Sequence, residues 1–327
     1  MLMKNSRRKM TKMMKNAKVR SVFSLIFIIT LSLLLSGCKQ QGSSTDPFVG
    51  GTNGLLINFA QGSPPSMIFD SGTTPFQVIV ELQNDGEFTV PKDKVRVTLL
   101  GINPEEFGVT PQDLTKHPDQ DLEKVRKDLS GNKIPSDKVQ IVFPTFKFMN
   151  SVVADTQKEL YAEVCYLYKT TARSDLCIKR NLMSTDSTVC KVNEKKKVYS
   201  SGAPIQVTSL EESQAGTNKI QFFFTIEKKG NGDVFTKESD CGSENYLTTQ
   251  NKVYVTVDTG LNGLVCHGLQ GGTTSGFVTL AGGKATVDCV QDLSNVESDF
   301  KQTITINLEY DFRNTIQTTF LIRPSQQ

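Results

Sequence analysis

Cysteine is the residue type with most chemistry to offer in this 327-residue chain. There are seven: Cys38, Cys165, Cys177, Cys190, Cys241, Cys266 and Cys289. A thiolate can ligate zinc, attack an electrophile or pair into a disulfide. Zinc sites use close pairs such as C-x-x-C, but these spacings are wide and the only histidines are His117 and His267. No metal ligand set is therefore expected. The last six cysteines are an even number, which in an oxidising compartment reads as three disulfides.

Other constellations are faint. Asp119, Asp121 and Glu123 alternate as in a calcium loop, but the following glycine and the spaced final glutamate are missing. They read as a solvated helix start, and Asp233 and Asp240 as turn residues. The chain has no G-x-S-x-G elbow, no H-E-x-x-H and no phosphate-cradling glycine loop. A carboxylate pair of the glycosidase kind leaves no mark in a sequence. No catalytic residue and no cofactor is expected, and the chain reads as non-enzymatic.

Cys38 sits in a different context from the other six. The first twenty residues carry eight Lys and Arg and no acid, and Val22–Leu35 is a largely apolar run of about 14 residues. That is short of the roughly 20 needed to cross a bilayer, so it reads as a secretory signal. Leu35-Ser36-Gly37-Cys38 then resembles the lipobox of prokaryotic lipoproteins. The resemblance implies cleavage after residue 37 and a diacylglyceryl group on Cys38, hence a membrane anchor outside the cytoplasm. Residues 38–53 are rich in Gly, Ser, Thr and Gln, the composition of a flexible tether.

Cleavage would also invert the charge. The whole chain carries 37 basic and 34 acidic residues. Without the eight basic residues of the signal, 29 remain against 34 acids, a net of −5. Nucleic acid is not an expected partner of such a chain.

The remainder repeats itself. Phe76, Val78, Val80, Leu82 and Gly86 match Phe222, Phe224, Ile226, Lys228 and Gly232. Lys94–Val97 matches Lys252–Val255, Lys138–Ile141 matches Lys284–Val287, and Tyr166–Tyr168 matches Tyr310–Phe312, in the same order. Short alternating segments with turn residues between them argue an all-β fold of antiparallel sandwiches. The F-x-V-x-V-x-L-x-N-x-G strand resembles immunoglobulin-like adhesion modules of prokaryotic surface proteins. The expected order is a domain over 54–183 with an insert at 103–137, a linker over 184–202, and a second domain over 203–325.

Each repeat is expected to end in a hairpin, over 158–168 with 172–180 and over 302–312 with 315–323. Arg313-Asn314 would be a two-residue turn. Val164, Tyr166 and Tyr168, like Leu308, Tyr310 and Phe312, would face inward, leaving Cys165 and Cys177 outward on one hairpin face. This predicts a Cys165–Cys177 bridge if the loop centres near Thr171; a tighter loop would set Cys165 opposite Ser174 instead. Cys266–Cys289 is expected from neighbouring strands, and Cys190–Cys241 by elimination.

Two segments are candidates for binding. Asp119–Ser130 reads as a short helix with Leu122, Val125 and Leu129 on one face, Glu123 paired with Lys127, and Gly131 as its cap. It would be either a plug for the open end of a sandwich or a partner-recognition element. In Phe143–Met149, Pro144 argues an edge or a bulge. Phe146 and Phe148 would be either a docking patch or core filler. The functional expectation is a lipid-anchored envelope protein that binds an envelope or surface partner in interaction, adhesion or scaffolding. The alternative is a ligand-binding lipoprotein serving a transporter or sensor, with a closed pocket between its domains.

Overall fold

The computed structural model describes residues 46–184, 188–242 and 245–325. The expected signal peptide, Cys38 and the first part of the expected tether lie outside these residues.

The fold is all-β and dominated by antiparallel pairing. Ten strands carry it: β1 (Leu55–Phe59), β2 (Ile79–Asn84), β3 (Val95–Leu100), β4 (Lys138–Val142), β5 (Thr156–Ile178), β6 (Ile205–Gln214), β7 (Lys219–Lys228), β8 (Lys252–Asp258), β9 (Lys284–Asp292) and β10 (Phe300–Arg323). The second five repeat the first five. β1, β2 and β4 form one small sheet; β6, β7 and β9 form the centre of another. β3, β5, β10 and β8 lie side by side in a single long sheet. Period-two alternation explains the burial: Val80 and Leu82 of β2 and Ile141 of β4 share one hydrophobic core with Val97 of β3 and Val164 of β5.

The expected terminal hairpins do not form. β5 runs for 23 residues and β10 for 24, and they pair from Phe300↔Ile178 to Ile322↔Thr156. At about 3.3 Å per residue this ladder is roughly 75 Å long. The alternation is unbroken where turns were expected: Tyr168, Thr170, Ala172, Ser174 and Leu176 are all buried on the inward face. No glycine or proline lies between Val164 and Ile178 or between Leu308 and Ile322. The Thr-rich junctions suit extended backbone. The far end of each long strand therefore continues into the other repeat. Phe320 of β10 packs on Phe76 and Phe107 of the first repeat at 5.9 and 6.1 Å. Thr170 of β5 donates to the Ile205 carbonyl of the second at 2.6 Å.

The repeat extends to single side chains. Tyr166, Tyr168, Tyr310 and Phe312 form a closed ring of four aromatics, with neighbouring centroids 5.9 to 6.4 Å apart. The hydroxyls are engaged: Tyr166 donates to Asn314 Oδ1 (3.0 Å), Tyr168 to Asn84 Oδ1 (3.2 Å), and Tyr310 shares a bond with Thr170 (3.0 Å). Burial pushes all three phenols well above their ordinary pKa. The matched glycines meet this ring. A Cβ on Gly86 would overlap the Tyr168 hydroxyl, and one on Gly232 would lie 2.6 Å from the Phe312 ring.

The insert 103–137 holds no helix at Asp119–Ser130. It contains two 3-10 turns (Pro104–Phe107 and Pro111–Leu114) and a small hairpin, Arg126–Lys127 with Lys133–Ile134. The backbone of this stretch bonds elsewhere. Leu122 exchanges both hydrogen bonds with Val90, and Val125 N–H donates to Gly86. Leu122 and Val125 are buried as expected of a packed face, but Leu129 is fully exposed. Glu123 pairs with Arg126 (3.6 Å), not with Lys127. Gly131, at φ +85°, turns the hairpin rather than capping a helix.

Candidate functional site

The outward face of the long sheet carries the chemistry. Odd-numbered side chains of β5 point there, and two of them are Cys165 and Cys177; Cys165 packs with Phe235 and Cys241 apart from the main core, whereas Cys177 and Cys190 join it. They lie twelve positions apart on one straight strand, about 40 Å at the usual rise per residue. They cannot bridge each other, because Cα atoms must come within about 7 Å. Each is instead joined to a loop folded over that face. The bonds are Cys165–Cys241 and Cys177–Cys190, so the expected Cys165–Cys177 and Cys190–Cys241 pairs are both replaced. Cys266–Cys289 forms as expected, between directly opposed residues.

The first cover is the segment 233–242. Its strand Asp233–Thr236 pairs with β10 beyond the end of β8, and the chain then turns over Asp311. Glu238, Asp240 and Cys241 all have positive φ (60°, 50° and 52°), an uncommon state for side chains with a Cβ. Asp311 holds the turn: its carboxylate accepts Glu238 N–H (3.0 Å), Ser239 N–H (2.8 Å) and Cys241 N–H (3.4 Å). Burial raises the Asp311 pKa, with these backbone donors acting against it. From the first repeat, Arg96 Nε lies 3.0 Å from Asp240 Oδ1. A cleft of about 390 Å³ lies at this junction, lined by Arg96, His117, Cys165, Glu238, Asp240 and Asp311 among others. Arg96 Nη2 donates to the Asp240 carbonyl at 3.3 Å while the buried Arg96 Nε makes no hydrogen bond, and His117 Nδ1 is 2.6 Å from the Val95 carbonyl. Asp311 acts as a clasp.

The second cover is the segment 188–200, closed by Cys190. Its strand Glu194–Lys196 pairs with β6, and Tyr199–Ser200 pairs with β5. Beneath it Glu212 is fully buried. Its carboxylate accepts Cys177 N–H at 2.9 Å and lies 3.0 Å from Lys196 Nζ. Burial pushes its pKa up to about 7, with the Cys177 N–H and Lys196 opposing the shift. Both covers thus share one construction: a disulfide to β5, and a buried carboxylate that accepts the N–H of a half-cystine. Beside the second lies a cleft of about 340 Å³ lined by Lys191, Lys195, Lys196, Lys197 and Lys301.

The binding candidates named from the sequence do not form a surface. Phe146 and Phe148 are buried, Phe146 stacked on Phe76 (5.6 Å) and Phe148 against Phe107 (5.3 Å). Pro144 does interrupt the strand: β4 ends at Val142, and pairing resumes only at Phe146 opposite Phe76. Leu122 and Val125 are equally buried. Asp121 accepts Lys92 N–H (2.9 Å) and Glu123 accepts Thr89 Oγ1 (3.2 Å), so these acids staple loops. Among the described residues no group of three or more His, Cys, Asp and Glu is placed to hold a metal. Nor is any helix there long and apolar enough to cross a membrane. Asp311, Glu212 and the lysine cleft were missed. The only local signal among them is the run Lys195-Lys196-Lys197.

No family model matches the chain, and no curated protein matches it. Likenesses to solved structures are faint. An envelope protein of White Spot Syndrome Virus, VP37, aligns at TM-score 0.23 and 9% identity over 44% of this chain and 97% of that one. Red sea bream transglutaminase aligns at 0.19 and 9%, over 84% of this chain and 32% of that one. A partial N-terminal region of enterococcal surface protein aligns at 0.16 and 8%, over 84% and 86%. At these scores they carry no argument about this chain.

Proposed function

We propose that this is a lipid-anchored cell-envelope protein that acts without catalysis, as a rigid interaction, adhesion or scaffolding module. The observation that carries the reading is the shared β5–β10 ladder with a disulfide-stapled cover over each half of its outer face. Such a body offers a long fixed surface. Three disulfides suit an oxidising extracytoplasmic compartment. The alternative of a ligand-binding lipoprotein calls for a pocket that closes between two hinged domains. Strands that cross from one repeat into the other leave no flexible hinge for that motion.

The test is fractionation joined to cross-linking in intact cells. The chain should appear in the membrane fraction with lipid on Cys38, and Cys38→Ser should release it without loss of fold. Cross-links from the outer face of the long sheet should fall on a recurrent envelope component. A membrane-bound Cys38→Ser protein would refute the lipid anchor. Saturable binding of a small solute with closure of the molecule would refute the scaffold reading.

A further inference from the structure

The exported chain is acidic overall, yet the fold gathers five lysines around one cleft. Lys191, Lys195, Lys196 and Lys197 come from the second cover, and Lys301 from the start of β10. Lys196 is committed to Glu212 and Glu194, at 3.0 and 2.8 Å, and Lys197 to Asp46 at 3.1 Å. Lys191, Lys195 and Lys301 are exposed and have no acid within ion-pair distance among the described residues. Of the two acids in the cleft wall, Glu194 is taken by Lys196 and Asp175 accepts Thr303 Oγ1 at 2.7 Å. The hydroxyl contact leaves Asp175 charged, so the cleft presents three lysines without an ion-pair partner against one such carboxylate, an excess of positive charge.

The first described residues of the chain lie at the rim of this cleft. Asp46 contacts Lys197 at the rim, and its carbonyl accepts Lys127 Nζ at 2.8 Å. Phe48 lies under the Arg173 guanidinium at 5.8 Å, which fixes the approach across the back of β5. Asp46 lies eight positions after Cys38, a reach of at most about 29 Å. The potential of an anionic leaflet fades within a Debye length of about 8 Å, so basic side chains feel it only when laid against the headgroups. A short tether that arrives at the rim of the cationic cleft allows that apposition.

We infer that the lysine cleft beside Cys177–Cys190 docks on the anionic phospholipid headgroups of the membrane that anchors the chain, and so sets the orientation of the long sheet. This rests on the anchoring reading for its geometry. It also amends the charge argument drawn from composition, because a net of −5 averages over a surface that the fold has sorted.

The test uses the lipidated chain isolated from membranes, reconstituted with vesicles of phosphatidylcholine alone or of two parts phosphatidylcholine to one part phosphatidylglycerol. Flotation reports attachment. Amine acetylation read by peptide mass spectrometry compares Lys191, Lys195 and Lys301 with Lys284, which lies on the small sheet of the second repeat. The three should react several-fold more slowly on the anionic vesicles only, and high salt should erase the difference. Flotation with both vesicles and equal labelling would overturn the docking while leaving the anchor intact. Flotation with the anionic vesicles alone, with protection, would uphold the docking and overturn the anchor. Flotation with neither would overturn both.

Discussion

Leu167 and Asp311 face each other at the midpoint of the β5–β10 ladder, and each is the other's counterpart in the repeat. Tyr166 and Tyr310 are 144 positions apart, and so are Leu167 and Asp311. The register therefore has an approximate twofold axis at this pair, with the four-ring aromatic cluster on the inward face around it. The symmetry breaks on the outward face: Leu167 is apolar, while Asp311 carries the charge that fastens the first cover.

Asp311→Ala should loosen that cover. It strips the acceptor from the N–H groups of Glu238, Ser239 and Cys241. Bonds to a charged group contribute more than neutral ones, and buried donors left bare are costly. A loss of about 3 kcal/mol in chemical denaturation is expected. A change under about 0.5 kcal/mol would mean that the disulfide alone holds the turn.

Phe320→Ala should destabilise the first repeat although Phe320 belongs to the second. Its ring fills space between Phe76 and Phe107, so the cost should be about 3–5 kcal/mol. Hydrogen exchange should show the loss in β2 and β3 first. Loss confined to β7 and β8 would contradict the crossing of β10.

Stability should respond to Glu212 through pH. Burial raises its folded pKa to about 7 from 4.5 in the reference state. The folded protein then holds this proton more tightly than the unfolded chain does. The contribution is fully present below about pH 4.5 and is lost as pH rises to about 7, by up to roughly 3 kcal/mol. Glu212→Gln should remove this slope, so the wild-type stability minus that of the variant should fall across that window. A flat difference would show that the ion pair with Lys196 cancels the burial effect.

Unreduced peptide maps should yield Cys165–Cys241, Cys177–Cys190 and Cys266–Cys289. Replacing each pair by alanine should rank the first two by loop length. Cys165–Cys241 spans 76 residues and Cys177–Cys190 spans 13. Chain entropy assigns about 4.5 kcal/mol to the longer loop and about 3 kcal/mol to the shorter. A reversed order would point to unequal contacts made by the two covers.

The parts of this fold legible in the sequence were those set by neighbouring residues. Alternation placed Tyr166, Tyr168, Tyr310 and Phe312 inward and Cys165 outward, and matched pairs such as Gly86 and Gly232 exposed the repeat. What failed needed knowledge of distant chain. A pair such as Arg313-Asn314 permits a turn, but only the waiting surface of Phe76 and Phe107 decides that the strand runs on. Leu122 and Val125 are buried on either a helix or an extended strap, and the choice lay with acceptors at Gly86 and Val90. The partner of Cys165 depended on which loop covers it. Lys301 joins Lys191 and Lys195 only after the long strands have paired.

The twofold at Leu167–Asp311 has a thermodynamic consequence. An isolated repeat of this design would lack the strand end that completes its sheet and would find it only on a second copy, as in an isologous dimer. Its folding would then obey mass action and fail on dilution. With both copies fused in one chain, the exchange is intramolecular. The protein can remain folded however dilute it is, and its unfolding midpoint should not move with concentration.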